Sequence, residues 1–394
     1  NIRGENRIQT TDSLFFKPEM FENAKTGVQH TVPISTNFKL FKYLSVSANT
    51  NINHTWAFKT IEKNYDQNIE EVTTNVFNNF DSYTTYNFSS SIGTTIYGLF
   101  DLGEEKKIQA IRHVMRPSLS YNIAPAFDQY YDTYEIVSAD GLTNDQVEYS
   151  RFEESLFGTP SNRFSSSIGI SMTNNFEAKI KDRDSLSTDP KKIFLLNSLN
   201  FSSNYNLAAD SLKWSPVRIS GGTQILDNKM NINFGATLDP YALNNSNQKI
   251  NVFNVNNGGS LFRVTSANLA MGYNLSSDSF QNSEDGSAKQ ESVRSGGRAD
   301  DLFGKPQDFA DNRLNSTKKD NENPVTNDLY KYKLPWSLRI AYALNYNNSR
   351  RQNEISSHSL MFSGDIELSP RWSLGFSSGY DFKNIGVTYS QLRF

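Results

Sequence analysis

The side chains best suited to catalysis or metal binding are few in this sequence. The four histidines, His30, His54, His113 and His358, are far apart, and none is followed by a second candidate ligand two to four residues later. A metal site on one strand or helix would need such spacing. Cysteine is absent, which removes thiol nucleophiles, disulfides and Cys-based zinc sites. We therefore expect no cofactor and no metal.

One short motif, Gly375-Phe376-Ser377-Ser378-Gly379, matches the nucleophile elbow of serine hydrolases. That motif works only where a strand turns sharply into a helix and where a histidine and an acid complete a triad. Here it lies inside an alternating run that is typical of a strand, and no Ser–His–acid set can be assembled. We therefore predict that the protein is not an enzyme.

Charge and composition narrow the remaining functions. The net charge is −3 and there is no basic block, so nucleic acid is not an expected partner. Mean hydropathy is only −0.59, yet 13% of the residues are aromatic. Disordered chains have few aromatic residues. Sheets with one apolar and one polar face explain both values.

Small polar side chains at every second position are the main candidate functional feature. Successive side chains of a strand point to opposite faces, and Met230, Ile232 and Phe234 alternate with Asn231 and Asn233. Ser, Asn and Gly dominate the polar faces, where a soluble sandwich would carry Lys, Glu and Thr. We predict that these residues line a polar lumen: Ser89, Ser91, Ser165, Ser167, Asn200, Asn204, Asn231, Asn233, Ser373 and Ser377.

The elements that position these residues are strands. About thirteen segments alternate in this way, several of them as long as the roughly 9–11 residues of a tilted membrane strand. No apolar run approaches the roughly 18 residues of a membrane helix. The pattern predicts an all-β protein, an antiparallel transmembrane β-barrel of the outer membrane. We assign residues 1–394 to one barrel domain, which is either a whole barrel or a part of a larger one.

The connections fit this prediction. Short turns are expected at 226–229 and 369–371, and longer polar links at 60–71, 125–160 and 181–191. The longest polar segment, at about 276–333, has no core pattern and is predicted to be a loop. Outer-membrane barrels have short turns at one rim and long loops at the other, and we expect the same here.

Two further features are open to more than one interpretation. Pro33 and Pro117 fall inside strand-like runs, where proline removes a ladder donor. Each marks either a bulge near a rim or a weakened strand seam that opens sideways. The Asp-Ser-Leu triplets at Ser13, Ser185 and Ser211 resemble an O-glycosylation sequon of Bacteroidota envelope proteins, although so short a triplet also arises by chance.

The segment Ile108 to Asn122, which is followed by Pro125, carries the most specific resemblance. It is similar to the R-H-x-x-x-P-x-x-x-Y stretch of LPS-assembly outer-membrane proteins (LptD, or OstA-like), with Arg112, His113, Pro117 and Tyr121 at the motif positions. Segments 1–6, 27–35 and 336–342 resemble the Bacteroidota branch of that family.

The resemblance implies a barrel in the outer membrane of a Gram-negative cell. Such a barrel passes lipopolysaccharide (LPS) from the periplasm to the outer leaflet, with an LptE-like lipoprotein plug in its lumen. It works with periplasmic LPS-bridge proteins and releases the lipid through a lateral seam into the membrane lipid, and Pro33 is the better seam candidate. Thirteen strands are roughly half of the family's barrel and no periplasmic jelly-roll precedes Asn1, so we expect a processed or truncated piece.

Two other classes of function remain open. A porin would carry charged residues at a constriction, and a nutrient-uptake barrel would carry an N-terminal plug domain, which is not recognisable here. A secreted structural or adhesive β-protein would be soluble without detergent. The residues favour LPS translocation over both.

Overall fold

The computed structural model describes residues 1–22, 24–67, 69–137, 144–181, 191–226, 228–277, 334–369 and 371–394. These residues form an all-β protein with antiparallel pairing throughout. Its one α-helix, α1 (Pro18–Glu22), has five residues. No helix in the described ranges is long and apolar enough to cross a membrane. The all-β, antiparallel class is therefore confirmed, and barrel closure and membrane insertion belong to the proposal below.

The strands are numbered in chain order. They are β1 (Ile2–Arg7), β2 (Lys25–Leu40), β3 (Leu44–Ala57), β4 (Thr60–Asp66), β5 (Glu71–Phe77), β6 (Asp81–Gly93), β7 (Ile96–Asp101), β8 (Ile108–Ala124), β9 (Tyr131–Val137), β10 (Asn144–Ser150), β11 (Ser165–Ile180), β12 (Lys191–Asn206), β13 (Val217–Ile225), β14 (Met230–Asp239), β15 (Tyr241–Leu243), β16 (Lys249–Phe253), β17 (Arg263–Ser276), β18 (Trp336–Asn347), β19 (Glu354–Ser369), β20 (Trp372–Asp381), β21 (Gly386–Val387) and β22 (Gln391–Arg393).

The chain divides into two compact units, and β8, β11 and β12 contribute residues to both. Unit 1 contains residues 1–94, 117–170 and 204–215. In its sheet the neighbours are β1, β2, β3, β6 and β8, in that order. Two hairpins, β4–β5 and β9–β10, form separate two-stranded sheets in the same unit.

Unit 2 contains residues 95–116, 171–203 and 216–394. Its strands follow one another as β12, β13, β14, β17, β18, β19 and β20, and both β21 and β22 pair with β20. Unit 2 also contains β7, which pairs with β8. The β15–β16 hairpin forms its own small sheet.

The predicted alternation of faces is confirmed by the strand registers. In unit 1, Val46 pairs with Phe38 of β2 and with Ile92 of β6, so apolar side chains lie beside apolar side chains. One residue further, Ser47 pairs with Asn37 and with Ser91. The period of two is kept over the whole of β3, because a slip of one residue would reverse both faces.

Two of the predicted polar links contain regular structure of their own. The link expected at 60–71 belongs to the β4–β5 hairpin, and the link expected at 125–160 contains the β9–β10 hairpin. The sequence did not predict these hairpins within the links. The β-branched residues Val72, Thr73, Thr74 and Val76 of β5 favour a strand. The polar residues around them obscure the alternation of this strand in the sequence.

The expected division into a short-turn rim and a long-loop rim is wrong for the longest link. The segment predicted at 276–333 lies outside the described residues from 278 onward. Ser276 and Ser337, which flank it, are paired with each other. These two residues lie at the end of the sheet that also carries the β13–β14 turn and the β19–β20 turn. The pairings of Tyr273 with Met230 and of Trp336 with Ile366 show this. In an antiparallel sheet every second connection leaves from the same end.

Candidate functional site: the polar sheet faces

The polar face of unit 1 is held by hydrogen bonds between side chains of neighbouring strands. The hydroxyls of Ser47 and Ser91 lie 2.6 Å apart. The Thr31 hydroxyl donates to Oδ1 of Asn53 over 2.9 Å. Such pairs direct hydroxyl and amide groups along the sheet, so that the surface offers both donors and acceptors. Ser89 lies on the same face, paired with Asn49.

In unit 2, asparagine side chains lie over glycines of the adjacent strand. A methyl group on Gly222 would lie 2.7 Å from Oδ1 of Asn233, and one on Gly235 would lie 2.6 Å from Oδ1 of Asn268. Both contacts are too close for a real side chain. The glycines therefore leave room for the amides to lie flat on the sheet, and the polar surface is smooth.

The same arrangement recurs around β11 in unit 1. A methyl group on Gly169 would meet both the Ser120 hydroxyl and, at 2.9 Å, Oδ1 of Asn204. Because side chains two residues apart share a face, Ser165 and Ser167 lie on the face of Gly169. Asn204 therefore belongs to the polar surface that the sequence predicts.

The remaining predicted polar residues also face polar neighbours. Asn200 pairs with Ser220, and Ser377 pairs with Ser363 of β19 and with Gln391 of β22. Ser373 is opposite Glu367. Asn231 pairs with Gly272, on the face that Asn233 occupies. The structure thus places the predicted set on polar sheet faces, and the idea that these faces line a lumen remains a proposal.

One end of the polar face in unit 1 is covered by a packed cap, which the sequence did not predict. The cap consists of the β4–β5 and β9–β10 hairpins together with residues 150–164. Phe152 is fully buried in it and contacts Tyr83 of β6, with the ring centroids 4.7 Å apart. The Tyr83 hydroxyl donates to the Gly158 carbonyl over 2.6 Å. Thr55, on the same face of β3, has no exposed surface.

Charges fasten the cap to the strands. Nε of Arg151 lies 3.2 Å from a carboxylate oxygen of Asp81 at the start of β6. Glu154 forms an ion pair with Lys25 at the start of β2. The Ile61 amide donates to the Arg151 carbonyl over 3.0 Å, which joins the β4–β5 hairpin to residues 150–164. No short sequence pattern predicts these contacts, because they join distant residues.

The family-motif residues of β8 bind β11. Arg112 forms an ion pair of 2.7 Å with Glu177. The His113 Nε2 atom forms a hydrogen bond of 2.9 Å with Oδ1 of Asn174, a buried residue. The His113 ring also stacks on Phe176, with centroids 4.2 Å apart and planes within 5°. These contacts fix the two strands to each other.

The other two motif residues make fewer contacts. The Tyr121 hydroxyl accepts a long hydrogen bond, 3.4 Å, from the buried Ser166. The Pro117 carbonyl accepts the Thr94 amide over 3.2 Å. Two residues separate β6 from β7 along the chain, and two residues of β8 lie between its pairing with β6 and its pairing with β7. Because the numbers are equal, there is no extra residue at Pro117. The bulge interpretation is therefore wrong at this position.

Pro33 lies in regular register opposite Asn51, so the bulge interpretation is wrong there too. The Thr31 amide donates to the Asn1 carbonyl, on the side of β2 away from β3. By alternation the ring nitrogen of Pro33 points to that same side. The β1 pairing covers only residues 25–30 of β2. Pro33 therefore offers no backbone donor to a strand that pairs on that side of β2.

The remaining candidates do not converge. Each histidine lies on a strand, and the described residues contain no group of three or more His, Asp or Glu that could hold a metal. Ser13 and Ser211 of the possible sequons are exposed, and Ser185 lies outside the described residues. The motif at 375–379 lies within β20, as a strand and not a strand–turn–helix.

The family model described as "LptD protein" matches residues 1–241, which is more than half of the chain. No curated protein matches significantly.

Proposed function

Because the chain belongs to the LptD family, we propose that it is the barrel part of an outer-membrane translocon that inserts LPS into the outer leaflet. The family is one of transport and assembly proteins and not of enzymes. We assign the chain to the Bacteroidota type of the family. The family match gives no support to a porin, a nutrient-uptake barrel or a secreted adhesive protein.

The polar faces supply the proposed path for the LPS headgroup. Sugar hydroxyls and phosphates exchange hydrogen bonds with the Ser and Asn side chains, and the Asn amides over Gly222 and Gly235 keep the surface flat. Acyl chains find little to adhere to there. We place the LptE-like plug lipoprotein against this face, as the family resemblance implies, and the periplasmic bridge proteins upstream of it.

The opposite faces support membrane insertion. On the apolar face of unit 1, Val32, Ile34 and Phe38 are each more than half exposed, which soluble proteins rarely allow over so long a stripe. Exposed aromatics occur at both ends of β3. The thirteen steps from Tyr43 to Trp56 rise about 3.3 Å each, which at a tilt of about 40° spans roughly 33 Å. The hydrocarbon core of a bilayer is about 30 Å thick.

The cap and the position of Pro33 together support a sideways exit. The cap covers the polar face of unit 1 at the end of β3 that carries Thr55 and Ala57, both buried. A headgroup that moved along this face would meet a packed obstruction. On the side of β2 where β1 pairs, Pro33 gives no donor to any strand that pairs there. Acyl chains would pass through this weakened seam into the membrane lipid.

The proposal depends on the two opposed faces of β6, one polar and one apolar. Photo-crosslinking tests whether LPS passes along the polar one. A crosslinking amino acid at Ser89 faces the polar side and one at Phe88 faces the apolar side. We expect LPS adducts at Ser89 that disappear when LPS supply from the inner membrane is stopped. Adducts at Phe88 should persist, because they report resident membrane lipid. Absence of supply-dependent adducts at Ser89 would contradict the proposed path.

The seam role of Pro33 is tested separately. Pro33→Ala restores a backbone donor, which should strengthen pairing at the seam and lower the amount of surface LPS. Pro117→Ala is the matched control, because Pro117 also lies in a strand but between two neighbours. Unchanged surface LPS in the Pro33 variant would remove the seam role while leaving the path intact.

A further inference from the structure

The turn between β2 and β3 has an unusual composition. Phe41, Lys42 and Tyr43 connect the paired residues Leu40 and Leu44. The two aromatic side chains are 79% and 78% exposed. We call these three residues, together with Lys39, the basic-aromatic tip.

Its backbone is strained. Phe41 has φ of 49° and Lys42 has φ of 67°, both in the left-handed region. Short hairpins usually place Asn, Asp or Gly there, because a bulky side chain is disfavoured. The β13–β14 turn of unit 2 has Asn228 at φ 66° and the exposed Leu226 at φ 56°, so a single bulky residue in this region is not peculiar to the tip. At the tip two consecutive bulky residues, Phe41 and Lys42, adopt it and gain no burial within the described chain that would offset the strain.

The charge around the tip has one sign. From Lys25 to Thr60 the chain contains four lysines and no Asp or Glu. Lys25 and Lys59, at the far end of the hairpin, contact Glu154 and the Glu22 carbonyl. Lys39 and Lys42, at the tip, have no carboxylate partner among the described residues. The exposed aromatics at the other end, Phe15, Phe16 and Phe21, are instead interspersed with Asp12, Glu19 and Glu22.

We propose that the basic-aromatic tip docks into the headgroup layer of an anionic phospholipid leaflet. The rings of Phe41 and Tyr43 enter the interface, where aromatic side chains are enriched. The ammonium groups of Lys39 and Lys42 bind lipid phosphates, as basic residues do at anionic membrane surfaces. This inference rests on the proposed function, because the tip reaches a leaflet only if the hairpin lies in a bilayer. Its role is to fix the depth of the β2–β3 hairpin in the bilayer.

Hydroxyl-radical footprinting of the full chain in lipid nanodiscs tests this docking. One set of discs contains phosphatidylcholine alone and another contains about 30% phosphatidylglycerol, and labelling of Phe41 and Tyr43 is read by mass spectrometry. We expect labelling to fall at least about threefold in the anionic discs and to recover at about 0.5 M salt, where charges are screened. The Lys39→Gln/Lys42→Gln variant should lose this dependence, and labelling of Phe15 and Phe16 should not change.

Ile34 and Phe88 on the apolar face separate the two proposals. If they stay labelled in every disc, the sheet is not in the bilayer and the proposed function fails along with the tip. If they are protected while Phe41 and Tyr43 are labelled equally in both discs, only the tip proposal is overturned. Protection that requires added LPS, or that occurs only in native membranes, would also overturn it, in favour of LPS or a protein partner.

Discussion

The cap and the β2–β3 hairpin belong to the same unit but treat apolar side chains in opposite ways. In the cap, Phe152 is fully buried and Tyr149 is 6% exposed, and charged groups tie the surface together. In the hairpin, Val32, Ile34 and Phe38 are each more than half exposed. The cap therefore carries its own core, whereas the outer face of the hairpin is left largely uncovered within the described chain. In the proposed function, closure belongs to the cap and lipid contact to the hairpin.

The largest expected effect is in the cap. Phe152→Ala removes the ring at the centre of its core, which costs about 3–5 kcal/mol at buried sites. Amide hydrogen exchange of Ile61 and Phe127, whose amides bond to residues 151 and 161, should accelerate strongly, while β2–β3 amides stay protected. Phe15→Ala, at an exposed ring, is the control. If β2 and β3 also lose protection, the two regions are not independent.

A charge on the outer face of the hairpin should cost less. Ile34→Lys places an ammonium group in lipid, which costs about 2–4 kcal/mol in the middle of a barrel strand. Urea unfolding in lipid vesicles measures this loss. Ser35→Lys, one residue further on the polar face, is the matched control and should leave stability nearly unchanged. Equal losses at both positions would contradict the assignment of the faces.

The polar wall of unit 2 should show a smaller effect. Gly235→Ala pushes a methyl group against Oδ1 of Asn268, which costs about 1–3 kcal/mol, as overpacking does. Adding Asn268→Ala should restore most of the loss, so a double-mutant cycle in detergent would show coupling. Gly4→Ala, where nothing lies within 4 Å, is the control. Strict additivity of the two changes would argue against the flat Asn-over-Gly surface.

The smallest expected effect is at the cap surface. Lys63→Gln removes the 2.6 Å ion pair with Glu153, and exposed pairs contribute about 0–1 kcal/mol. Thermal unfolding of the cap, followed by hydrogen exchange, should shift only slightly and even less at high salt. A shift as large as that of Phe152→Ala would mean that charge, and not the aromatic core, holds the cap.

The sequence by itself determined the faces. Strict alternation over Leu44–Ala57 and Met230–Asp239 placed Ser47, Asn231 and Asn233 on polar faces, because side chains of a strand change sides at each residue. It also marked Arg112 and His113 as special, through a motif. It could not name Glu177 and Asn174 as their partners, since strand neighbours are separated by more than fifty residues.

Only the tertiary structure decided how distant segments meet. The cap joins residues near 61, 83, 127 and 152, and no local period reports such contacts. The flat amide surface depends on cross-strand register, which puts Asn233 beside Gly222 and Asn268 beside Gly235. The order and pairing of the strands also decide from which end of the sheet the link predicted at 276–333 leaves. A pattern of period two fixes which way a side chain points, and the long-range pairing of strands decides what it meets.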